Sequence, residues 1–531
     1  GGWWAASTDP TEGPSRRYRP GMAAALDPRL PVLVGVGQVT MRPDRGDPML
    51  EPVDLMAEAL RRAEVDSGGS GLLGAAEQLL VVNETSWRYR NASRAVAERV
   101  GASPRRLVTS VVGGNLAGVM LVRAAEQIAS GASDVVLLCG GESARSRSLL
   151  RKSGVEPDWT VQGDDVDPDE SFGDARPMVS AVERDRGVLL PVDVYPLFEI
   201  ALRARLGLGV ARHRQRLGDL WSAFSEVAAT NPYAWIREPL SASEIGEPGP
   251  DNRMISFPYT KRLCSNNQVD QSAALVLTSV DAARRAGVPM DRWVFLHAGA
   301  EAVDHWHVSN RIDLCSSPAL RVAGREAFAL AGIGVDDLSF VDLYSCFPAA
   351  VQIAALELGL VPDPSADGTG WGGIGATVPL TLTGGMTFAG GPLNNYTTHG
   401  VATMVSRLRT EPSALGLCTA NGGYTTEHAV AILSASPPHT GAYRRAEPQA
   451  EVDAGASVAL DDDWVGEITI ESATIPTGRD GERRALVAAR TPDGSRTWCG
   501  STDDALLHAI ETTEIVGVRA TRDAHGVVRI D

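Results

Sequence analysis

A glycine pair, Gly113-Gly114, stands between an apolar run that predicts a short buried strand, Val108–Val112, and a run with helical apolar spacing, Asn115–Ser130. Such a turn points backbone N–H groups, and the positive end of the helix dipole, at whatever lies above it. That environment stabilises a thiolate or another anion. The geometry therefore suits a nucleophile, yet the turn carries none.

Side chains that could do chemistry stand at further turns in the second half of the chain. They are Tyr344 and Cys346 in the run Tyr-Ser-Cys-Phe, His399 after Gly390-Gly391, and Asn421 in the run Asn-Gly-Gly. A phenol can donate a hydrogen bond or move a proton, but a hydrogen-bonded core tyrosine fits the same pattern. A cysteine in an apolar turn is more often packed than reactive.

The cysteines and histidines predict neither a disulfide framework nor a metal centre. The six cysteines are widely separated and form no C-x-x-C pair. His305 and His307 flank a tryptophan, and no third ligand follows at metal-binding spacing. The acidic segment 164–175 is typical of a solvated loop. We therefore expect no metal and a reducing, cytoplasmic environment.

The composition excludes some classes of partner. The chain has 531 residues, of which 44% are hydrophobic and 22% charged, as in a globular protein of roughly two to four folding units. Its formal net charge of −17 argues against nucleic acid or an anionic membrane as the main partner. No run reaches the ~18 apolar residues of a membrane span, and residues 1–21 lack the apolar core of a secretory signal.

The elements that must position these residues form two similar series. Strands are predicted at 32–36, 78–82, 108–112 and 134–139, with helices at 52–63, 93–100 and 115–130. The second series has strands at 294–298, 340–344, 415–420 and 429–433, helices at 317–330, 348–358 and 396–408, and a glycine-rich loop at 367–376. Alternating strands and helices predict a mostly parallel sheet covered by helices, and the repeated order indicates a duplicated fold.

Two further regions lie outside these series. The segment between them carries predicted helices at 195–206 and 214–229 and is interpreted as an insertion packed on the sheet. Residues 437–451 have no periodicity and predict a linker. Closely spaced short strands beyond it predict a small β-barrel.

Several ordered blocks resemble the thiolase superfamily. The run 107–143 combines the strand, the glycine turn, a helix ending in I-x-x-G and a strand ending in G-G-x-E-S. The run 254–279 looks like the end of the loop domain in sterol-carrier-type thiolases. Tyr-Ser-Cys-Phe, Gly-Gly-Pro and Asn-Gly-Gly stand where the family has N-E-A-F or H-D-C-F, G-H-P and C-x-G. The extension after the core resembles thiolase-like proteins of type 1.

The resemblance implies a duplicated thiolase fold with five αβαβα layers, a loop domain and an OB-like C-terminal β-barrel. The implied domains are a tail at 1–28, an N-terminal half at 29–143 and 254–290, a loop domain at 144–253, a C-terminal half at 291–436, a linker at 437–451 and an additional domain at 452–531. It also implies a site between the halves for CoA or an acyl-CoA, with no tightly bound cofactor.

The resemblance also assigns roles to positions. Gly114 stands where the family has its nucleophilic cysteine, Gly391 where it has an oxyanion histidine, Asn421 where it has an acid/base cysteine, and Tyr344 where it has a water-binding Asn or His. The missing thiolate closes the covalent route, and losing one oxyanion donor alone costs ~10²–10³ in rate. Ordinary thiolase activity is therefore not expected, and Cys346 and His399 are the remaining candidates to replace these groups.

Two functions follow. The chain either binds CoA thioesters of lipid or fatty acid metabolism without turning them over, or cleaves an acyl-CoA as a retro-aldol carbon–carbon lyase with Tyr344 as acid/base. Thiolase-fold lyases work with a small OB-fold partner, which the C-terminal barrel would supply in cis. Residual acetyl-CoA acetyltransferase activity is a third alternative, and the chain is expected to be a monomer or homodimer, or to have a heteromeric partner.

The paired glycines carry one more expectation. Gly113-Gly114, Gly390-Gly391 and Gly422-Gly423 would leave backbone N–H groups around one cavity, with room for a larger acyl group. The alternative interpretation is that they are ordinary turns.

Overall fold

A computed structural model describes residues 26–361 and 378–530 of the chain. The predicted tail up to residue 25 and the predicted glycine-rich loop at 367–376 lie outside the described residues. The first half contains β1 (Pro31–Met41), α1 (Pro52–Ser67), β2 (Gln78–Val82), α2 (Ala92–Val100), β3 (Arg106–Ser110), α3 (Leu116–Ala129) and β4 (Val135–Ser143).

The middle of the chain is mostly helical. It contains α4 (Ala144–Ser153), β5 (Glu170–Phe172), α5 (Ala181–Asp185), α6 (Pro191–Arg205), α7 (Val210–Thr230), α8 (Ala242–Gly246), β6 (Met254–Ser256) and β7 (Tyr259–Thr260). The chain then returns to the first half through β8 (Asp270–Ser279) and α9 (Val280–Arg285).

The second half and the C-terminal region complete the chain. The second half contains β9 (Val294–Val303), α10 (Pro318–Ala331), β10 (Phe340–Asp342), α11 (Pro348–Glu357), α12 (Gly385–Phe388), α13 (Tyr396–Thr410), β11 (Leu415–Gly422) and β12 (Glu427–Ser434). The C-terminal region contains β13 (Arg444–Ala446), α14 (Gln449–Asp453), β14 (Gly466–Thr474), β15 (Ala485–Arg490), β16 (Arg496–Ser501), α15 (Asp504–Thr512), β17 (Arg519–Arg522) and β18 (Val528–Ile530).

The core strands follow the order β10-β11-β12-β9-β1-β8-β4-β2-β3-β5, and the two halves meet where β1 pairs with β9. β2 pairs in parallel with β3 and β4, and β10 with β11, whereas β8 runs antiparallel to both β1 and β4. The prediction of a mostly parallel sheet is therefore wrong in this respect, since the sheet is mixed. The long insertion before β8 and the tight β11–β12 turn let those strands return in the opposite direction.

Two helices, α3 and α13, pack between the strands of the two halves, while α1 and α2 cover one outer face and α10 the other. The resulting five-layer duplicated α/β architecture confirms the predicted fold. Gly118 sets the approach of α3 to the second half, because a Cβ there would lie 2.6 Å from that of Ala420. Close contact of this kind fixes the start of α3 against the end of β11.

Two predicted irregular segments carry strands. Within the acidic segment, β5 pairs in parallel with β3 and ends the sheet. Within residues 437–451, β13 pairs in parallel with β9, and the hydroxyl of buried Tyr443 donates to the Val122 carbonyl at 2.7 Å. Neither strand could be predicted from an apolar run, because each is only three residues long and pairs at the side of a strand already in the sheet.

The C-terminal domain is a five-stranded antiparallel sheet in the order β16-β15-β14-β17-β18, with α15 inserted between β16 and β17. A parallel bridge between Gly500 and Val527 links the two edge strands. The separate antiparallel domain is confirmed. A closed barrel of OB-like type stays a prediction, which the bridge supports.

Candidate functional site

The turn that begins α3 lies directly against Tyr344. A Cβ placed on Gly114 would lie 2.3 Å from the Tyr344 hydroxyl oxygen and 2.5 Å from the Asn421 carbonyl oxygen. Both distances are far inside van der Waals contact, so only glycine fits this position. The phenol and the end of β11 occupy the space in which a side chain at position 114 would stand.

Tyr344 itself is held by its backbone and its ring. Its N–H donates to the Thr419 hydroxyl at 2.9 Å, and its ring meets that of Tyr396 edge to face at 5.5 Å. Burial raises the pKa of its hydroxyl well above the usual range, so the phenol stays protonated. Among the described residues the hydroxyl has no hydrogen-bond partner, which leaves a donor free beside Gly114.

Asn421 joins this place to the inserted helical region. Its side-chain amide nitrogen donates to the hydroxyl of Tyr195, on α6, at 3.0 Å. The Tyr195 hydroxyl in turn donates to the Gly423 carbonyl at 3.1 Å and accepts from the Thr425 N–H at 3.1 Å. The Asn421 side-chain oxygen is buried and has no partner among the described residues. Tyr195 thus closes the site from the loop-domain side.

Tyr195 is a site residue that sequence reasoning missed. It lies in a helix predicted from its apolar spacing, where a tyrosine looks like one more core residue. A fully buried phenol must find a polar partner, and that requirement is the signal that could have marked it. The sequence gives no means of locating the partner, because Asn421 lies 226 positions further along the chain.

Cys346 belongs to the same cluster. Its sulfur lies 3.9 Å from the Asn421 amide nitrogen, and its carbonyl accepts from the Ser265 hydroxyl at 2.8 Å. Burial raises the pKa of its thiol to about 12. The side chain is therefore a neutral thiol at physiological pH, and a thiol is a poor nucleophile.

The glycine pairs do not open a cavity, which corrects the expectation of a site stripped of side chains. A Cβ on Gly390 would meet the Gln271 side-chain oxygen at 2.1 Å, and one on Gly391 would meet that of Asn267 at 3.0 Å. The positions next to Gly422 and Gly423 are filled in the same way, by Asn115 and Met178. These glycines allow neighbouring side chains to approach the backbone closely, and the space they leave is occupied.

His399 lies apart from the cluster. One ring nitrogen, Nδ1, shares a 2.8 Å hydrogen bond with Gln38, and Nε2 is buried without a partner among the described residues. Burial lowers the pKa of His399 to about 3, so the ring is neutral. It lines a small cavity of about 10 Å³ together with Tyr396 and Gln271. No hydrogen bond connects it with Tyr344, Cys346 or Asn421.

The C-terminal domain supports the β11–β12 turn from outside. Buried Arg496 donates to the carbonyls of Val308, Ser309 and Arg311 at 2.8–2.9 Å. Arg311 in turn donates to the Tyr424 carbonyl and to the Thr426 hydroxyl, in the turn that follows Asn421. The C-terminal domain is therefore connected to the candidate site through two arginines.

The described residues contain no group of three His, Cys, Asp or Glu that could hold a metal ion. In the same part of the chain, no helix is long and apolar enough to cross a membrane.

Comparison with known proteins identifies the family. A family model described as thiolase C-terminal domain-like matches residues 300–435, and one described as the additional C-terminal domain of thiolase-like protein type 1 matches residues 447–525. The crystal structure of a monomeric SCP2-thiolase-like protein type 1 from Mycobacterium smegmatis is 31% identical, with a TM-score of 0.77, and covers 95% of this chain and 99% of that one. The chain belongs to the family of SCP2-thiolase-like proteins of type 1.

Two other relatives of this type 1 thiolase-like protein carry the names of CoA enzymes, and a third similar structure is that of an aldolase. An acetyl-CoA acetyltransferase of Methanothermobacter thermautotrophicus is 25% identical over 370 residues, which is 67% of this chain and 86% of that enzyme. A 17-hydroxy-3-oxo-4-pregnene-20-carboxyl-CoA lyase of Mycobacterium tuberculosis is 25% identical over 394 residues, 71% of this chain and 91% of the lyase. An Ltp2–ChsH2(DUF35) aldolase shares the fold, with a TM-score of 0.58 at 21% identity over 77% of this chain and 98% of that one.

Proposed function

We propose that this thiolase-like protein binds a CoA thioester in the frame of its thiolase fold and does not transfer the acyl group by Claisen chemistry. The observation that carries the proposal is the Tyr344 hydroxyl, which fills the space beside Gly114 where the family resemblance puts a nucleophilic cysteine. A phenol that burial keeps protonated donates a hydrogen bond but accepts no acyl group.

The nearby thiol gives no substitute for the covalent route. With the pKa of Cys346 at about 12, roughly one molecule in 10⁵ carries the thiolate at pH 7. Gly391 and Asn421 likewise offer neither an imidazole nor a thiol at the two remaining family positions. Thiolase turnover, including residual acetyl-CoA acetyltransferase activity, is therefore expected to be absent.

The binding half of the proposal rests on unused hydrogen-bonding groups. Within the described residues, the Tyr344 hydroxyl donates no hydrogen bond and the Asn421 side-chain oxygen accepts none. A donor beside the start of α3 suits the carbonyl oxygen of a thioester, since that oxygen carries partial negative charge. The CoA-dependent relatives support the thioester as the ligand class. Lipid or fatty acid metabolism in the cytoplasm is the setting that we propose for it. No tightly bound cofactor is part of the proposal.

A second candidate is a retro-aldol lyase. The lyase among the relatives favours it, and so does the additional C-terminal domain. That domain would take the place, within one chain, of the separate DUF35 partner in the aldolase complex. A β-hydroxyacyl-CoA would lose its hydroxyl proton, the Cα–Cβ bond would break to leave a carbonyl compound and a thioester enolate, and the enolate carbon would take up a proton. Atoms and electrons balance without another reactant. Tyr344, kept protonated by burial, suits the final protonation.

Calorimetric titration with CoA and acetyl-CoA tests the proposal. We expect binding by the wild type and about 5–20-fold weaker acetyl-CoA binding by Tyr344→Phe, the loss of one hydrogen bond to the ligand. Tyr233→Phe is the matched control, because it removes a phenol oxygen outside this cluster. Absence of heat up to millimolar ligand would overturn both candidates.

An acyl-CoA cleavage screen separates the two candidates. Turnover of β-hydroxyacyl-CoA by the wild type but not by Tyr344→Phe supports the lyase. Binding without cleavage by either protein supports the non-catalytic function. Formation of acetoacetyl-CoA from acetyl-CoA would contradict the central claim.

A further inference from the structure

A cavity of about 560 Å³ opens beside α3, bounded by β5, the end of β9, the start of β12 and the segment leading into α14. Its lining is apolar at Leu116, Val119 and Phe172 and polar at Asn115 and Glu427. Cavities of roughly 300–1,000 Å³ are typical of small-molecule sites. Neither Tyr344 nor Asn421 lines this cavity, which borders the thioester site proposed above only through Asn115, the residue after Gly114.

Three of the four carboxylates that line the cavity have guanidinium partners. The N–O distances are 2.7 Å for Glu301 with Arg123, 2.5 Å for Glu301 with Arg445, 3.2 Å for Glu447 with Arg445 and 2.7 Å for Asp174 with Arg176. The fourth, Glu427, has no cationic partner among the described residues. Glu427 is therefore the one carboxylate in the cavity lining without an ion-pair partner within the described residues.

Glu427 is an under-partnered group in a buried position. It is 7% exposed, and the single hydrogen bond of its carboxylate within the described residues is a long one, 3.4 Å from the Asn115 amide nitrogen. Burial raises the pKa of its carboxyl to about 7. The side-chain oxygen of Asn115 and one carboxylate oxygen of Glu301 are also buried without a partner. Hydrogen-bond acceptors are thus in excess around the cavity.

We propose that this cavity binds a small organic cation, whose ammonium group pairs with Glu427 and whose apolar part lies against Leu116, Val119 and Phe172. A buried carboxylate is costly unless it is paired or protonated, and a ligand with N–H donors supplies the missing pair. An anionic ligand would meet the uncompensated carboxylate, and a neutral apolar ligand would leave it without a partner.

The protonation of Glu427 then links binding to pH. The charged groups facing it, Asp174 and Arg176, oppose each other, and burial is the largest influence on its pKa. The adjacent His428 is neutral, since burial lowers its pKa to about 3, and it bonds to Ser317. At pH 6 most Glu427 side chains are protonated, so binding an ammonium ion must displace a proton from most of them, whereas at pH 8.5 few carry a proton to displace.

Calorimetric titration with hexylamine tests the proposal, with hexanol as the uncharged control ligand. We expect hexylamine to bind the wild type about tenfold more tightly at pH 8.5 than at pH 6. Titration at pH 6 in two buffers of different ionisation enthalpy should show release of close to one proton. Hexanol should bind at least tenfold more weakly, and Glu427→Gln should abolish both the proton release and the pH dependence.

The control variant is Glu447→Gln, which removes a half-exposed carboxylate of the same cavity and should leave the proton release unchanged. Hexanol binding as tight as hexylamine binding would overturn the proposal, as would no hexylamine binding up to 10 mM, about the level of a weak ligand. Proton release by the wild type is informative without any variant, so the proposal stays testable if Glu427→Gln fails to fold. A parallel titration with CoA tests the thioester site, so failure of the cation proposal can be told apart from failure of the proposed function.

Discussion

The hydroxyl oxygen of Tyr344 lies 2.3 Å from the point at which Gly114 would carry a Cβ, so these two residues share one space and only one of them has a side chain in it. In the function proposed above, this arrangement offers a thioester a neutral hydrogen-bond donor instead of a nucleophile. The carbonyl of Asn421, at 2.5 Å from the same point, closes the space from a second direction.

Gly114→Ala should therefore destabilise the protein by about 2 kcal/mol, because the methyl group overlaps both oxygens. Adding Tyr344→Phe should recover only part of this loss, since the Asn421 carbonyl and the phenyl ring remain in place. Chemical denaturation of the single and double variants measures the free energies of unfolding. Gly74→Ala is the control, because a Cβ there would lie 3.8 Å from the Gly71 carbonyl oxygen, which is ordinary van der Waals contact. Equal stability of Gly114→Ala and wild type would contradict the close packing.

Tyr195→Phe should lower the free energy of unfolding by about 1–3 kcal/mol, because three buried partners lose their hydrogen bond together. Those partners are the Asn421 amide, the Thr425 N–H and the Gly423 carbonyl. Hydrogen exchange should show faster amide exchange at residues 422–426. Tyr233→Phe serves as the matched control, and a change confined to α6 would show that Tyr195 does not hold the β11–β12 turn.

His399 predicts a specific loss of stability in acid. Its pKa is about 3 in the folded protein and about 6.5 when unfolded, so its contribution is present above pH 6.5 and is lost as the pH falls toward 3. The difference in unfolding free energy between wild type and His399→Gln should change by about 1.4 kcal/mol per pH unit below pH 6. A pH-independent difference would mean that His399 is not buried as a neutral ring.

Arg496→Met should loosen the connection between the C-terminal domain and the candidate site. The substitution leaves Glu471, at 2.7 Å from the guanidinium, without this partner and removes three hydrogen bonds to the segment 308–311. We expect a loss of about 3–5 kcal/mol and faster hydrogen exchange in residues 308–311 and 424–426. Exposed Arg519→Ala is the control. Faster exchange only within the C-terminal domain would show that the two arginines do not connect it to the site.

The sequence predicted the elements with a strong local signal. The strand and the helix that flank Gly114 were predicted from apolar periodicity and a glycine pair. They correspond to β3 and α3 in the structure. Tyr195 and Glu427 were missed because their importance depends on partners from distant strands, which no local pattern shows. The expected cavity at the paired glycines was wrong for a related reason: a glycine indicates close approach, but only the packed structure shows that another side chain already fills the space.

The strand β13 has a consequence for motion. Since residues 444–446 pair with β9 and Tyr443 is anchored to α3, the C-terminal domain is joined to the core by a hydrogen-bonded strand. Displacing the domain would first require that strand to peel away, so any such movement has the character of local unfolding, on a slower timescale than the bending of a flexible hinge.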